Sequence, residues 1–198
     1  MKTDNILILG STFLTELVIN ELKRNQFNII GYVPNKIRST VSGNIDLEEK
    51  DLKCEYDVAI SVQYDSLIES NEKTFNVHTG LLPNFGGLDI LRHTLNEGER
   101  EQGLTFHKMT NSYDFGPILN KITYPVLPKD TEKDLYKRLC VVAPPFVVSC
   151  LRLLKNMSFE DIDNCVSEKP RLLEREYKKD PIPLTNEELG ELCNACYW

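Results

Sequence analysis

The sequence predicts a single α/β domain built on a mostly parallel sheet flanked by helices, and three observations point there. The chain opens on four apolar residues, Ile6-Leu7-Ile8-Leu9, closed by Gly10. A continuous apolar run bounded by glycine fits a strand buried on both faces, as in a parallel sheet. The stretch Phe13 to Lys23 then carries apolar residues at 14, 17, 18 and 22, which share one helical face. Phe27 to Val33 reads as a second strand ended by Pro34, which completes a β-α-β opening.

The remaining elements follow in order. Residues 35–53 are polar and loop-rich, and Tyr56 to Val62 is a third strand. Asp65 to Glu69 begins a helix or turn. Thr74 to His78 is a fourth strand, ended by Gly80 and Pro83, and a short helix covers Asp89 to Asn96. Leu104 to Met109 is a fifth strand. Ile118 to Val126 is a sixth, and Pro125 predicts that it ends there or lies at a sheet edge. Thr131 and Asp134 can cap a helix running to about Asn156, with an interruption predicted at Pro144-Pro145. Beyond it Pro170, Pro181 and Pro183 sit among charges and predict an extended segment. Thr185 to Leu189 reads as a capped final short helix.

Composition narrows the function classes. The 198 residues are 41% hydrophobic, enough for a core, which argues against wholesale disorder. Basic residues number 23 against 30 acidic, a net charge of −7, so broad binding to a phosphate backbone is not expected. No cleavage-type leader and no apolar stretch of about 20 residues is found, so the expectation is a soluble, cytoplasmic protein that works without a membrane or nucleic acid. Cys140 and Cys150 sit in apolar company and read as small buried hydrophobes. Cys193 and Cys196 have metal-like spacing, but a single pair with no nearby His falls short of the about four ligands zinc wants, so no metal is expected.

The chemistry is concentrated in two segments. In Asn76-Val77-His78, residues two apart on a strand share a face about 6.6 Å apart. Asn76 and His78 therefore point one way and Phe75 and Val77 the other, at the strand end where α/β sheets bind ligands. An imidazole there can move protons, and an amide N–H can stabilise an oxyanion. The alternative is a histidine that bonds a turn carbonyl. The second segment is Gly103-Leu104-Thr105-Phe106-His107, followed by the turn Asp114-Phe115-Gly116-Pro117. Asp114 on that loop could meet His78 and stabilise an imidazolium.

Taken together these segments resemble the formyltransferase family that uses 10-formyltetrahydrofolate. The resemblance rests on Asn76, His78, Leu82-Pro83, Gly87, then Gly103, Thr105 and His107, then Asp114 and Gly116, in matching order and spacing. It covers roughly residues 4–155 and implies a Rossmann-like twisted sheet, with 1–156 as the catalytic domain and 157–198 as a short C-terminal extension. It implies that Asn76 stabilises the tetrahedral oxyanion, that His78 acts as general acid or base, and that Asp114 holds His78 and helps relay the amine proton. The folate would lie against Gln63, Tyr64 and Leu67, against Leu82 and Pro83, and against Met109, Thr110 and Tyr113. His107 is either a support for the site or purely structural.

The sequence departs from the family pattern in two places. Gly86 stands where many members carry a basic residue, and Arg92-His93 replaces a more apolar segment. Arg92 and Phe85 are candidate substrate contacts, Arg92 for an anion and Phe85, like Tyr113, Tyr177 and Trp198, for a base. The glycine-rich phosphate loop of the glycinamide ribonucleotide branch is missing, since Gly10-Ser11-Thr12-Phe13 has one glycine. A basic tRNA-binding domain is not seen either. The expected substrate is therefore a nucleotide-linked 3-amino or 4-amino deoxysugar, and the C-terminal segment is a candidate dimer contact. A dinucleotide-dependent oxidoreductase would need Gly-x-Gly-x-x-Gly after the first strand, which is absent. A hydrolase that deformylates the folate, another small amine such as glycinamide ribonucleotide as acceptor, and an idle folate-binding protein stay open as alternatives.

Overall fold

The computed structural model describes residues 1–36, 43–173, 185 and 188. Six strands form one sheet in the order β2-β1-β3-β4-β6-β7. Strands β1 (Ile6–Leu9), β2 (Ile29–Val33), β3 (Val58–Val62) and β4 (Thr74–His78) run parallel. Strand β6 (Glu101–Lys108) pairs antiparallel with β4, and β7 (Ile118–Pro125) pairs antiparallel with β6. Pro125 ends β7, and β7 is an edge strand, so both readings of that proline hold. Among the described residues no helix is long and apolar enough to cross a membrane.

Alternation along the strands sets two layers. Ile6, Ile8, Val58, Ile60, Phe75, Val77, Leu104 and Phe106 face a core shared with helices α1 (Phe13–Arg24) and α3 (Glu132–Lys155). Leu7, Leu9 and Ala59 face the other way, where loop residues Leu52, Tyr56, Tyr64 and Ile68 cover them. Asn76 and His78 lie on this second face, as their spacing predicts. Helix α2 (Ile90–Asn96) packs against α3 and β6.

Of the helix or turn expected from Asp65 to Glu69, the helix is absent and the chain bends at Ser66, with Asp65 accepting from the Lys36 N–H and the Ser66 hydroxyl. One expectation is corrected. Helix α3 runs unbroken through Pro144 and Pro145. Each proline removes one helical hydrogen bond. The helix nevertheless continues because Leu135, Leu139, Cys140, Ala143, Phe146, Val147, Cys150, Leu151 and Leu154 are all buried along it. Burial of a large apolar side chain is worth about 1.5–3 kcal/mol, so several of them outweigh the lost bonds.

The segment after α3 holds elements the sequence did not announce. Helix α4 (Phe159–Asp163) sends Ile162 into the main core. Strand β8 (Leu172–Leu173) pairs in parallel with the two-residue strand β5 (Gly86–Gly87). Thr185 and Glu188 make the reciprocal capping bonds expected at the start of a helix, and Glu188 also pairs with Lys133 and Lys137. Tyr177, Cys193, Cys196 and Trp198 lie outside the described residues.

Candidate active site

The carboxyl end of β4 carries the site, and its neighbours in the sheet fix each group. The antiparallel β4–β6 register sets Asn76 opposite His107 and His78 opposite Thr105. Asn76 Nδ2 donates to His107 Nε2 at 3.2 Å, and His107 Nδ1–H donates to the Lys108 carbonyl at 2.9 Å. Thr105 accepts from the Leu82 N–H at 3.0 Å and donates to the Gly80 carbonyl at 2.7 Å, which holds the loop after β4 against the sheet. Gly103 belongs to the same logic: a Cβ there would meet the Ile122 carbonyl oxygen at 2.1 Å. The Gly-x-Thr-x-His run is thus a strand whose three residues admit β7, pin the loop and orient the Asn76 amide.

His78 is buried, with 6% of its surface exposed, and both ring nitrogens face acceptors. Nε2 lies 2.6 Å from the Phe85 carbonyl and Nδ1 lies 3.2 Å from Asp114 Oδ1. A carbonyl has no proton to give, so Nε2 carries one, and the proton at the second contact is shared with the carboxylate. Asp114 Oδ2 accepts the Gly87 N–H at 2.7 Å. Burial disfavours charge on His78, but the Asp114 charge and hydrogen bond and the Phe85 carbonyl outweigh it, so its pKa is raised. Asp114 is lowered: burial opposes its charge, and His78 and the Gly87 N–H more than compensate. Both shifts favour the charged pair, an imidazolium beside a carboxylate. Burial first, and the His78 charge second, push His107 down to about 4, so it is neutral and accepts from Asn76.

Asn76, His107 and Asp114 line one cleft together with Ser61, Tyr64, Ser66, Leu67, Met109, Thr110, Ser112 and Tyr113. His78 stands behind Asp114. Five of the expected folate contacts, Tyr64, Leu67, Met109, Thr110 and Tyr113, are thus gathered on this cleft. Three are not. Gln63 turns back to accept from the Thr12 hydroxyl at 2.8 Å. Leu82 is buried, with its carbonyl on Lys121 Nζ, and the Pro83 carbonyl accepts from Arg171 N–H. Arg92 pairs with Glu132 at 3.0 Å, and the Phe85 ring packs with Ile90 and Leu173, so it is its carbonyl that meets His78. Ser66 and Ser112 fall within the two segments, 63–67 and 109–114, expected to line the folate slot, and Ser61 was missed. Its signal is positional: Ser61 lies near the end of β3 beside Asn76. Among the described residues no group of three or more His, Cys, Asp or Glu is arranged to hold a metal ion.

Residues 36–151 match the profile of the family described as Formyl transferase. The chain belongs to that family. Among curated formyl transferase relatives, it is 31% identical over 121 residues to the bifunctional polymyxin resistance protein ArnA of Wigglesworthia glossinidia brevipalpis, a match covering 61% of this chain and 18% of that protein. It is 29% identical over 120 residues to the methionyl-tRNA formyltransferase of Natranaerobius thermophilus, covering 59% of this chain and 38% of the relative. The matched part is thus well under half of either curated relative. The fold is also that of the N-formyltransferase of Helicobacter canadensis, with a TM-score of 0.72 at 19% identity, over 100% of this chain and 81% of that one.

Proposed function

We propose that the protein is an N-formyltransferase that moves a formyl group from 10-formyltetrahydrofolate to the amine of a nucleotide-linked amino deoxysugar. The observation that carries this reading is the meeting of Asn76, His107 and the His78-backed carboxylate of Asp114 on one cleft. The cleft suits a folate. Leu67 and Tyr113 leave 46% and 58% of their surface exposed along its walls, apolar area that a flat heterocycle can cover. Tyr64, Leu67, Met109, Thr110 and Tyr113 would hold the folate, which supplies an activated formyl carbon.

Each group has a task in this reading. Asn76 gives one amide hydrogen to His107 and keeps a second for the charge that develops on the formyl oxygen. An attacking amine must lose a proton and the leaving nitrogen must gain one. The Asp114 carboxylate faces the cleft to take the first, and the charged His78 beside it is the reservoir for the second. Asp114→Asn should lower turnover about 100-fold, because His78 then has a neutral partner. It should also move the pH–rate profile, since His78 loses the charge that raises its pKa. A variant with an unchanged profile would remove Asp114 from the mechanism.

The turn after β1 bears on the choice of acceptor. The Ser11 N–H donates to Asn35 Oδ1 at 2.8 Å, and Asn35 Nδ2 donates to the Gln63 carbonyl at 2.9 Å. The turn after β1 is therefore occupied by the chain's own side chains, which weighs against a ribonucleotide phosphate there. The net charge of −7 weighs against tRNA. The Helicobacter canadensis enzyme, described in complex with folinic acid and dTDP-3-aminofucose, supports a folate donor with a nucleotide-linked amino sugar. A cytoplasmic location and a homodimer through the C-terminal segment belong to the same proposal. The test is tetrahydrofolate release with and without a panel of nucleotide-linked 3-amino and 4-amino sugars. Release that requires one sugar supports the reading. Release without any amine makes the protein a hydrolase, and no release with folate bound makes it a binding protein or an enzyme for another amine.

A further inference from the structure

Residues 85–88, with the two-residue strand β5 at their centre, make hydrogen bonds on two sides. On one side they meet the acid–base pair: the Phe85 carbonyl accepts from His78 Nε2 at 2.6 Å, and the Gly87 N–H donates to Asp114 Oδ2 at 2.7 Å. On the other side Gly86 and Leu88 meet the C-terminal strand. The Gly86 N–H donates to the Arg171 carbonyl at 3.1 Å and the Leu88 N–H to the Leu173 carbonyl at 3.1 Å. The Arg171 N–H donates to the Pro83 carbonyl at 2.8 Å. Leu173 is buried against Phe85 and Ile90, and the Arg171 guanidinium pairs with Glu97 at 2.9 Å.

The doubled glycine has a physical reason in this arrangement. A Cβ on Gly86 would meet Pro170 Cβ at 3.1 Å, Leu172 Cδ2 at 3.2 Å and the Arg171 carbonyl oxygen at 3.3 Å. A Cβ on Gly87, whose φ is +93°, would meet the Leu173 carbonyl oxygen at 2.3 Å. A side chain at position 86 would press on residues 170–172, which would have to give by a few tenths of an ångström.

We infer that residues 170–173 are a positioning strand for the His78–Asp114 pair, and that Gly86 is the residue that lets this strand dock. The inference rests on the assignment of His78 and Asp114 made above. The strand touches neither the reacting groups nor the cleft. It acts through residues 85–88, by fixing the carbonyl that His78 donates to and the N–H that Asp114 accepts from.

Arg171→Pro tests this, because it deletes the N–H given to Pro83 while leaving the residues of the cleft in place. Gly86→Val tests it independently by crowding the strand from the other side. In both, the imidazole of His78, followed by NMR titration, should titrate at lower pH than in the unmodified protein. Its two raising partners are no longer held. With the sugar acceptor identified, kcat should fall on the order of tenfold or more, with KM for the folate nearly unchanged, as expected when catalytic groups are misplaced rather than lost. Folded variants, checked by circular dichroism, whose His78 titration matches that of the unmodified protein would overturn the inference. The NMR titration needs no turnover, so it decides the role of the strand even if the formyl-transfer reading fails. Conversely, a protein that transfers formyl groups with an unperturbed Arg171→Pro titration retains that reading and loses this one.

Discussion

Asn76→Ala and His78→Ala are each expected to lower formyl transfer about 100-fold or more, the range typical of losing an oxyanion donor or an acid–base group. For Asn76 the argument is geometric. Its amide is oriented by a neutral His107 at 3.2 Å, so its second N–H is directed without any reorganisation during reaction. Alanine removes that donor and leaves the ring nitrogen of His107 without its partner. For His78, alanine removes the imidazolium that holds Asp114 ionised and ready, and also vacates the Phe85 carbonyl. The measurement is single-turnover formyl transfer under saturating folate, alongside thermal unfolding to confirm that each variant is folded. Near-normal turnover in either variant would sink the assignment of that residue.

What the sequence disclosed about this site, and what it did not, follows from the range of the interactions. Asn76 and His78 were legible because two residues apart on a strand means one face, a property of the local backbone alone. The β-α-β opening was legible for the same reason, since apolar periodicity reports which face is buried. The partnership of Asn76 with His107 was not legible from spacing, because it depends on the register in which β6 pairs with β4. The pairing of Arg92 with Glu132 depends likewise on how α2 meets the start of α3, forty residues on. Strand β8 was read as extended chain, and it is extended. Its pairing with β5 involves two residues on each side, too few to leave a periodic signal. The unbroken α3 is the clearest case of tertiary packing overriding a local rule, since proline is judged on its own helix while the buried face of that helix is paid for by the whole core.

The second large effect is expected in stability rather than turnover. His107 is 2% exposed, its Nδ1–H is given to the Lys108 carbonyl, and its Nε2 accepts from Asn76. A second proton would set Nε2–H against the Asn76 amide, donor against donor, in a site that already holds the charge of His78. The folded-state pKa is about 4, against 6.5 for an ordinary histidine. Between these values the unfolded chain binds one more proton than the folded protein, so stability present above pH 6.5 is lost as pH falls toward 4. The slope is about 1.4 kcal/mol per pH unit, and the window as a whole is worth roughly 3 kcal/mol. His78 has the opposite sign: its raised pKa contributes stability that is complete below 6.5 and is lost as pH rises through its folded value. Asp114, whose pKa is lowered, contributes above 3.8 and loses that stability as pH falls further. Near the bottom of the window the lowered carboxylates, Asp114 among them, add a slope of the same sign, so it is the comparison with a His107 variant that isolates His107. Urea unfolding at pH 7, 6, 5 and 4.5 should therefore show the unmodified protein losing stability faster than His107→Gln, which has no proton to take up. Parallel slopes in the two proteins would mean that His107 takes up its proton as readily in the fold as in the unfolded chain, and the orientation of the Asn76 amide would then need a different cause.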